Sequence, residues 1–143
     1  MDALTFLREQ VPLFAGVTDE NLAALAESSA LLRFHAGQTI LFKGATVDGL
    51  HVVISGRAGV YVKATNKTMV RVAELGVGEI FGEVSIVERG TAGATIKASE
   101  DGMLVLMIPQ ESFRQVLQQD EDFSVRVNRM IAARKSAPAS VPA

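Results

Sequence analysis

The chain of 143 residues lacks cysteine and tryptophan altogether, and it has one tyrosine and four prolines. Without cysteine there is no disulfide, no thiol nucleophile and no thiolate-held metal. No proline falls between Pro12 and Pro109. A formal net charge of -2 lacks the basic field that a generic nucleic-acid or anionic-membrane binder needs. The longest apolar run, Met103 to Ile108, is far too short to cross a bilayer. Asp2, Arg8 and Glu9 interrupt the apolar residues of the N-terminus, which is not the pattern of a signal peptide. These exclusions leave the expectation of one soluble, cytoplasmic domain. A chain of this length buries roughly two-thirds of its unfolded surface, which suffices for a core without staples.

Glycine is present but unevenly placed: all except Gly16 lie between Gly37 and Gly102. They divide the chain into three zones. Residues 1–30 carry Leu4, Leu7, Leu22, Leu25 and Ala26 at helical spacing. Thr18 or Asp19 is placed to cap the second helix, and Asp19 and Glu20 suit its positive end. Pro12 separates the two helices. Residues 31–109 change period. Thr39–Phe42, Leu50–Ser55, Gly59–Ala64, Thr68–Glu74, Ala94–Ala98 and Met103–Ile108 are short Val- and Ile-rich segments between turn residues. Thr65-Asn66-Lys67 reads as a hairpin turn, because Asn tolerates the left-handed conformation. Residues 110–135 are helical again, with Phe113, Val116 and Leu117, then Phe123, Val127, Met130 and Ile131, on apolar faces. Residues 136–143, rich in Ala, Pro and Ser, read as a disordered tail. The pattern predicts a mainly β, jelly-roll-like antiparallel roll flanked by helices, in one domain over 1–135.

Few residues point to catalysis. His35 and His51 fall on different expected strands, and a metal site would need both to converge with a carboxylate. No G-x-S-x-G elbow is present. Gly76-Val77-Gly78-Glu79 reads as a strand-joining turn, since no βαβ unit encloses it. Asp120, Glu121 and Asp122 read as a loop with helix N-terminal charge. Arg126, Arg129, Arg134 and Lys135 read as a solvated helix face, or as a surface for an acidic partner. The expectation is neither an enzyme nor a metalloprotein, with no resident cofactor.

The informative stretch is FGEVSIVERGTAGATIKA, from Phe81 to Ala98. Gly82 lets a ligand approach the backbone closely. If Val84 to Val87 forms a helical turn, the amides after Gly82 make a local anion site. Glu83 would then accept hydrogen bonds from a sugar hydroxyl.

With this stretch the chain resembles the cyclic nucleotide-binding domain family. Phe81-Gly82-Glu83 resembles the start of its phosphate-binding cassette, and Ala94-Thr95-Ile96-Lys97-Ala98 its close. Gly37, Gly44, Asp48, Leu50, Gly56 and Val60 match its first hairpins. Val11-Pro12-Leu13-Phe14 with Leu22 and Leu25 resembles its N-terminal helices. Pro109, Phe113 and the segment Asp122–Arg134 resemble its C-terminal ones. The resemblance implies a β-roll that binds cAMP or cGMP and folds its last helix over the base. It implies ligand contacts at Gly82, Glu83, Val84, Ser85, Ala92, Gly93 and Ala94, with Glu83 accepting from the ribose 2′-hydroxyl. The family carries an arginine ten residues after the glycine, paired with the cyclic phosphate. Here that position is Ala92. Gly93 brings no hydroxyl, so it offers nothing toward cGMP. Arg89, in the same loop, is the candidate replacement counter-charge; its other reading is an exposed loop residue.

Three readings follow. One is a regulatory sensor that binds cAMP weakly or unusually, cGMP less readily, and signals through its C-terminal helix to a protein effector. Another is a degenerate module that binds no cyclic nucleotide and serves protein interaction or oligomerisation, a homodimer included. A third keeps the pocket for a different small ligand. No helix-turn-helix or other DNA-binding segment, kinase signature or membrane segment is present in the sequence.

Overall fold

The computed structural model describes residues 2–88 and 90–136. The expected tail therefore lies almost wholly outside the described residues. The chain begins with α1 (Ala3–Gln10), a 3-10 turn (Pro12–Phe14) and α2 (Asp19–Ser28). Asp2 caps α1 by accepting from the Thr5 amide at 2.8 Å, and Thr18 caps α2 by accepting from the Asn21 amide at 3.2 Å. Pro12 sits at the first position of the 3-10 turn, where its missing N–H costs nothing.

Then come β1 (Ala30–Phe34), β2 (Thr39–Leu41), β3 (Gly49–Ser55), β4 (Ala58–Lys63), β5 (Met69–Leu75) and β6 (Ile80–Phe81). A short helix, α3 (Glu83–Glu88), interrupts the strands before β7 (Thr95–Ala98) and β8 (Met103–Pro109). The chain ends with α4 (Gln110–Gln119) and α5 (Glu121–Ser136). Every strand pairing is antiparallel. The strands form two four-stranded sheets, in the orders β1-β8-β3-β6 and β2-β7-β4-β5. The mainly β roll with flanking helices is the architecture that the patterning predicts.

Burial explains the strand sequences. On β4 and β7, Ala58 and Val60 lie opposite Ala98 and Ile96, and all four are buried. The register carries this apolar set to one face, as a period of two requires. In β3, Leu50 to Val53 are buried without alternation, because α3 and α4 both pack against that strand. β5 pairs only with β4 and is mostly exposed. Two strands go unmarked by the patterning. β1 carries Leu31 at 60% exposure and Arg33 outward, and β6 is only two residues long.

The β4–β5 turn differs in detail from the expectation. Lys67, not Asn66, takes the left-handed conformation, with φ of 68°. Asn66 instead turns its side chain onto the Thr68 amide at 3.2 Å and the Thr68 hydroxyl at 2.6 Å. Its side chain mimics a backbone turn, which leaves the next residue to reverse the chain. Between β5 and β6, Gly78 has φ of 84°, and a β-carbon there would run into the Gln10 carbonyl. That turn can therefore tuck beneath the end of α1.

Three aromatic rings fasten the terminal helices. Phe123 stacks on Phe14 with centroids 5.4 Å apart and meets Phe113 edge-on at 5.9 Å. All three rings are fully buried. Asp120 starts α5 by accepting from the Phe123 amide at 3.0 Å. The roll and α5 consequently share one core.

Candidate functional site

The residues from Phe81 to Ala98 form one closed unit. Gly82 follows β6 with φ of 100°, a conformation that side chains rarely adopt. A β-carbon there would sit 3.0 Å from the Gly49 carbonyl and 3.1 Å from a Val47 methyl. Only glycine lets the chain turn from β6 into α3 this close to the start of β3. Directly after it, Glu83, Val84, Ser85 and Ile86 point into the protein from α3 and are buried.

The loop after α3 is tied back to it. The Ser85 hydroxyl donates to the Thr91 carbonyl at 3.0 Å, and the Gly90 amide to the Ser85 carbonyl at 2.9 Å. Ala92 is locked against the loop after β2: its amide donates to Ala45 at 3.0 Å and its carbonyl accepts from Gly44 at 2.8 Å. Ala92 is 2% exposed and Ala94 wholly buried, while Gly93 is partly exposed. The expected site residues 82–85 and 92–94 thus share one compact loop-helix-loop. Arg89 lies outside the described residues. From α4, the Arg114 guanidinium donates to the Ile86 carbonyl at 2.8 Å and fixes α3 from the other side.

A family model described as the cyclic nucleotide-binding domain matches residues 31–120. The chain belongs to that family. One curated protein is similar in sequence, and two solved structures are similar in fold. "Lysophospholipase nte1" of Aspergillus terreus is 30% identical over 103 residues, 72% of this chain and 7% of that protein. This chain therefore spans a small part of the enzyme it resembles. The catabolite activator protein of Thermus thermophilus superposes with a TM-score of 0.75 at 24% identity, over 86% of this chain and 57% of that one. A regulatory subunit of a cAMP-independent protein kinase A from Trypanosoma cruzi, bound to guanosine, gives 0.79 at 18% identity, over 95% and 46%.

Within this cyclic nucleotide-binding domain, the first carboxylate of α3 has an unusual environment. Glu83 is wholly buried. One of its oxygens accepts a short hydrogen bond from Arg134 of α5, and Arg134 also donates to the Ile80 carbonyl at 2.8 Å. The other oxygen, Oε2, is buried without a partner. Burial pushes the Glu83 carboxyl up to about 7, and the Arg134 charge pulls in the opposite direction without cancelling it.

His51 lies on the other side of Gly82. It is buried at 7% exposure, stacked on Phe81 with centroids 4.7 Å apart, and its Nδ1 has no hydrogen-bond partner. Burial lowers its pKa to about 4; the Gly49 carbonyl and Asp48 offset only part of this. The ring is therefore neutral at pH 7. Among the described residues no group of three side chains able to hold a metal ion forms, and no helix is long and apolar enough to cross a membrane.

Patterning in the sequence does not single out Arg134 or Arg126 for interior roles. Both stand apart from the solvated face expected of them. Arg126 donates to the Leu13 carbonyl at 3.3 Å and lies 5.9 Å from the Phe123 ring centroid. The signal available was helical spacing. Phe123, Val127 and Ile131 form the buried stripe of α5, and residues 126, 130 and 134 border it at intervals of four.

Proposed function

We propose that the chain is a regulatory ligand-sensing domain that takes a ribose-bearing ligand at Glu83 and reports it through α5. The observation that carries this reading is the buried Glu83 carboxylate, shared between Arg134 of α5 and a second oxygen with no partner. A ribose hydroxyl donating to Oε2 would satisfy an acceptor that otherwise stays unpaired in the interior. Any ligand that rearranges Glu83 necessarily acts on Arg134, and hence on the position of the last helix. Coupling of this kind requires a ligand with different affinities for the two helix positions.

Ala92 sets the strength expected for cAMP. A hydrogen bond to a charged group contributes about 1.5–3 kcal/mol, and an arginine can supply two to a phosphate. Its absence costs cyclic-nucleotide affinity roughly ten- to a hundredfold. The unmodified domain should therefore bind cAMP weakly and cGMP no better, since Gly93 adds no hydroxyl. A neutral nucleoside presents the same ribose hydroxyls and asks for no counter-charge. The guanosine held by the trypanosome subunit lends support to that ligand class.

Titration calorimetry tests the reading. Ala92→Arg should raise cAMP affinity at least about tenfold, and guanosine affinity should rise far less. An unchanged cAMP affinity would remove Ala92 as the limiting residue. A domain serving only protein interaction has the tightly packed Ala92 and Ala94 in its favour. It would give no heat with cAMP, cGMP, adenosine or guanosine at millimolar concentration.

A further inference from the structure

The net charge of -2 conceals a strong segregation of charge. From Gly49 to Ala73 there is no Asp or Glu, whereas Arg57, Lys63, Lys67 and Arg71 all fall there. The pairing of β4 with β5 and β7 brings this stretch beside Lys97, and the loop after β2 adds Lys43. The outcome is a cleft of about 470 Å³ lined by Lys43, Lys63, Tyr61, Thr95, Val62 and Met69, with no carboxylate in its wall. The Lys97 ammonium stands 5.5 Å over the Tyr61 ring at the same place. Among the described residues, Lys43, Lys63, Lys67 and Lys97 make no ion pair, whereas Arg57 and Arg71 are paired with Glu74 and Glu100.

Apolar side chains stand among these cations. Phe42, next to Lys43, is 63% exposed, and Met69 and Val70, between Lys67 and Arg71, are 44% and 43% exposed. Exposed Phe and Met beside unpaired lysines are poorly suited to open water, because hydration favours the charges but not the apolar groups. They suit an interface where anionic headgroups meet hydrocarbon.

We propose that this end of the roll, formed by the loop after β2, the β4–β5 hairpin and β7, docks on an anionic lipid bilayer. The lysines sit at the level of the lipid phosphates, Phe42, Met69 and Val70 enter the interface, and the cleft receives a headgroup. Charge complementarity argues for a bilayer surface. A single-stranded nucleic acid would want a run of stacking rings along the groove, and the ring in the cleft wall, Tyr61, is covered by Lys97. The cleft shares no lining residue with Gly82–Ser85 or with residues 92–94, and meets the cassette only at its closing strand, through Thr95.

Co-sedimentation of the full chain with phosphatidylcholine vesicles, with and without phosphatidylserine, tests this. The protein should partition onto the phosphatidylserine vesicles only, and release as salt rises. Each basic residue near such a surface changes partitioning several-fold, so Lys43→Glu with Lys63→Glu should lower it at least about tenfold. Met69→Ser should lower it several-fold without altering the salt dependence. Arg33→Glu with Arg129→Glu makes the same change in net charge at exposed positions elsewhere, and should leave most of the partitioning intact. Circular dichroism of each variant confirms that it is folded. Equal partitioning onto both vesicle types, equal loss in the two charge-reversed pairs, or tighter binding to single-stranded DNA than to phosphatidylserine vesicles would each overturn the proposal.

Discussion

Replacing Glu83 by glutamine should make stability climb by about 3 kcal/mol, relative to the unmodified protein, as pH rises from 4.5 to 7. Replacing His51 by phenylalanine should make relative stability fall by a similar amount between pH 4 and 6.5. The two signs come from opposite shifts. The Glu83 carboxyl titrates near 4.5 when unfolded and at about 7 when folded. Between those values the folded chain holds a proton that the unfolded chain has lost. Its contribution is complete below pH 4.5 and disappears as pH rises through 7. His51 moves from 6.5 unfolded to about 4 folded. Its contribution is complete above pH 6.5 and disappears as pH falls through 4. Each shift is worth about 3 kcal/mol at 1.4 kcal/mol per pH unit. In the unmodified protein the two slopes oppose one another between pH 4.5 and 6.5, so their sum is nearly level. Urea denaturation over a pH series, taken as variant minus unmodified protein, isolates each slope. Difference curves that stay flat would mean that neither group is as desolvated as its burial indicates.

Phe123→Ala should cost about 3–5 kcal/mol, the range for truncating a large, fully buried aromatic side chain. The ring touches the 3-10 turn through Phe14 and α4 through Phe113. It is thus the anchor by which α5 joins two other elements. Removing it leaves a cavity at the root of the helix that carries Arg134. Denaturant unfolding measures the loss, and Phe123→Leu should recover a substantial part by refilling volume. A loss below about 1 kcal/mol would place the anchor of α5 elsewhere. The same variant should loosen the Arg134–Glu83 pair, since Arg134 lies three turns further along that helix.

Much of the roll is readable from residue patterning, for a physical reason: a strand with one face in the core must alternate, or run apolar where both faces are covered. Leu50 to Val53 and Met103 to Ile108 announce themselves in this way. β1 does not, because the exposed Leu31 hides the alternation of half-buried Leu32 and Phe34. The cassette is legible because its residues are contiguous. Gly82 is required locally by φ and by the nearby Gly49 carbonyl, and Ser85 and Thr91 are close in sequence. The other half of the site is not legible. Arg134 meets Glu83 across 51 positions, and His51 reaches Gly82 only through the pairing of β3 with β6. Net charge misleads for a related reason. It sums over the chain, whereas sheet register gathers Lys63 and Lys97 and the loop after β2 brings Lys43 to them.

Amide hydrogen exchange of α5 tests the sensing account most directly, with Ala92→Arg protein measured alone and with cAMP at a concentration that calorimetry shows to be saturating. Exchange across residues 121–136 should change on saturation, and Arg134→Ala in the same background should greatly reduce the change. Exchange in α5 that is identical with and without bound cAMP would contradict it, as would an Ala92→Arg protein that binds no cAMP at all.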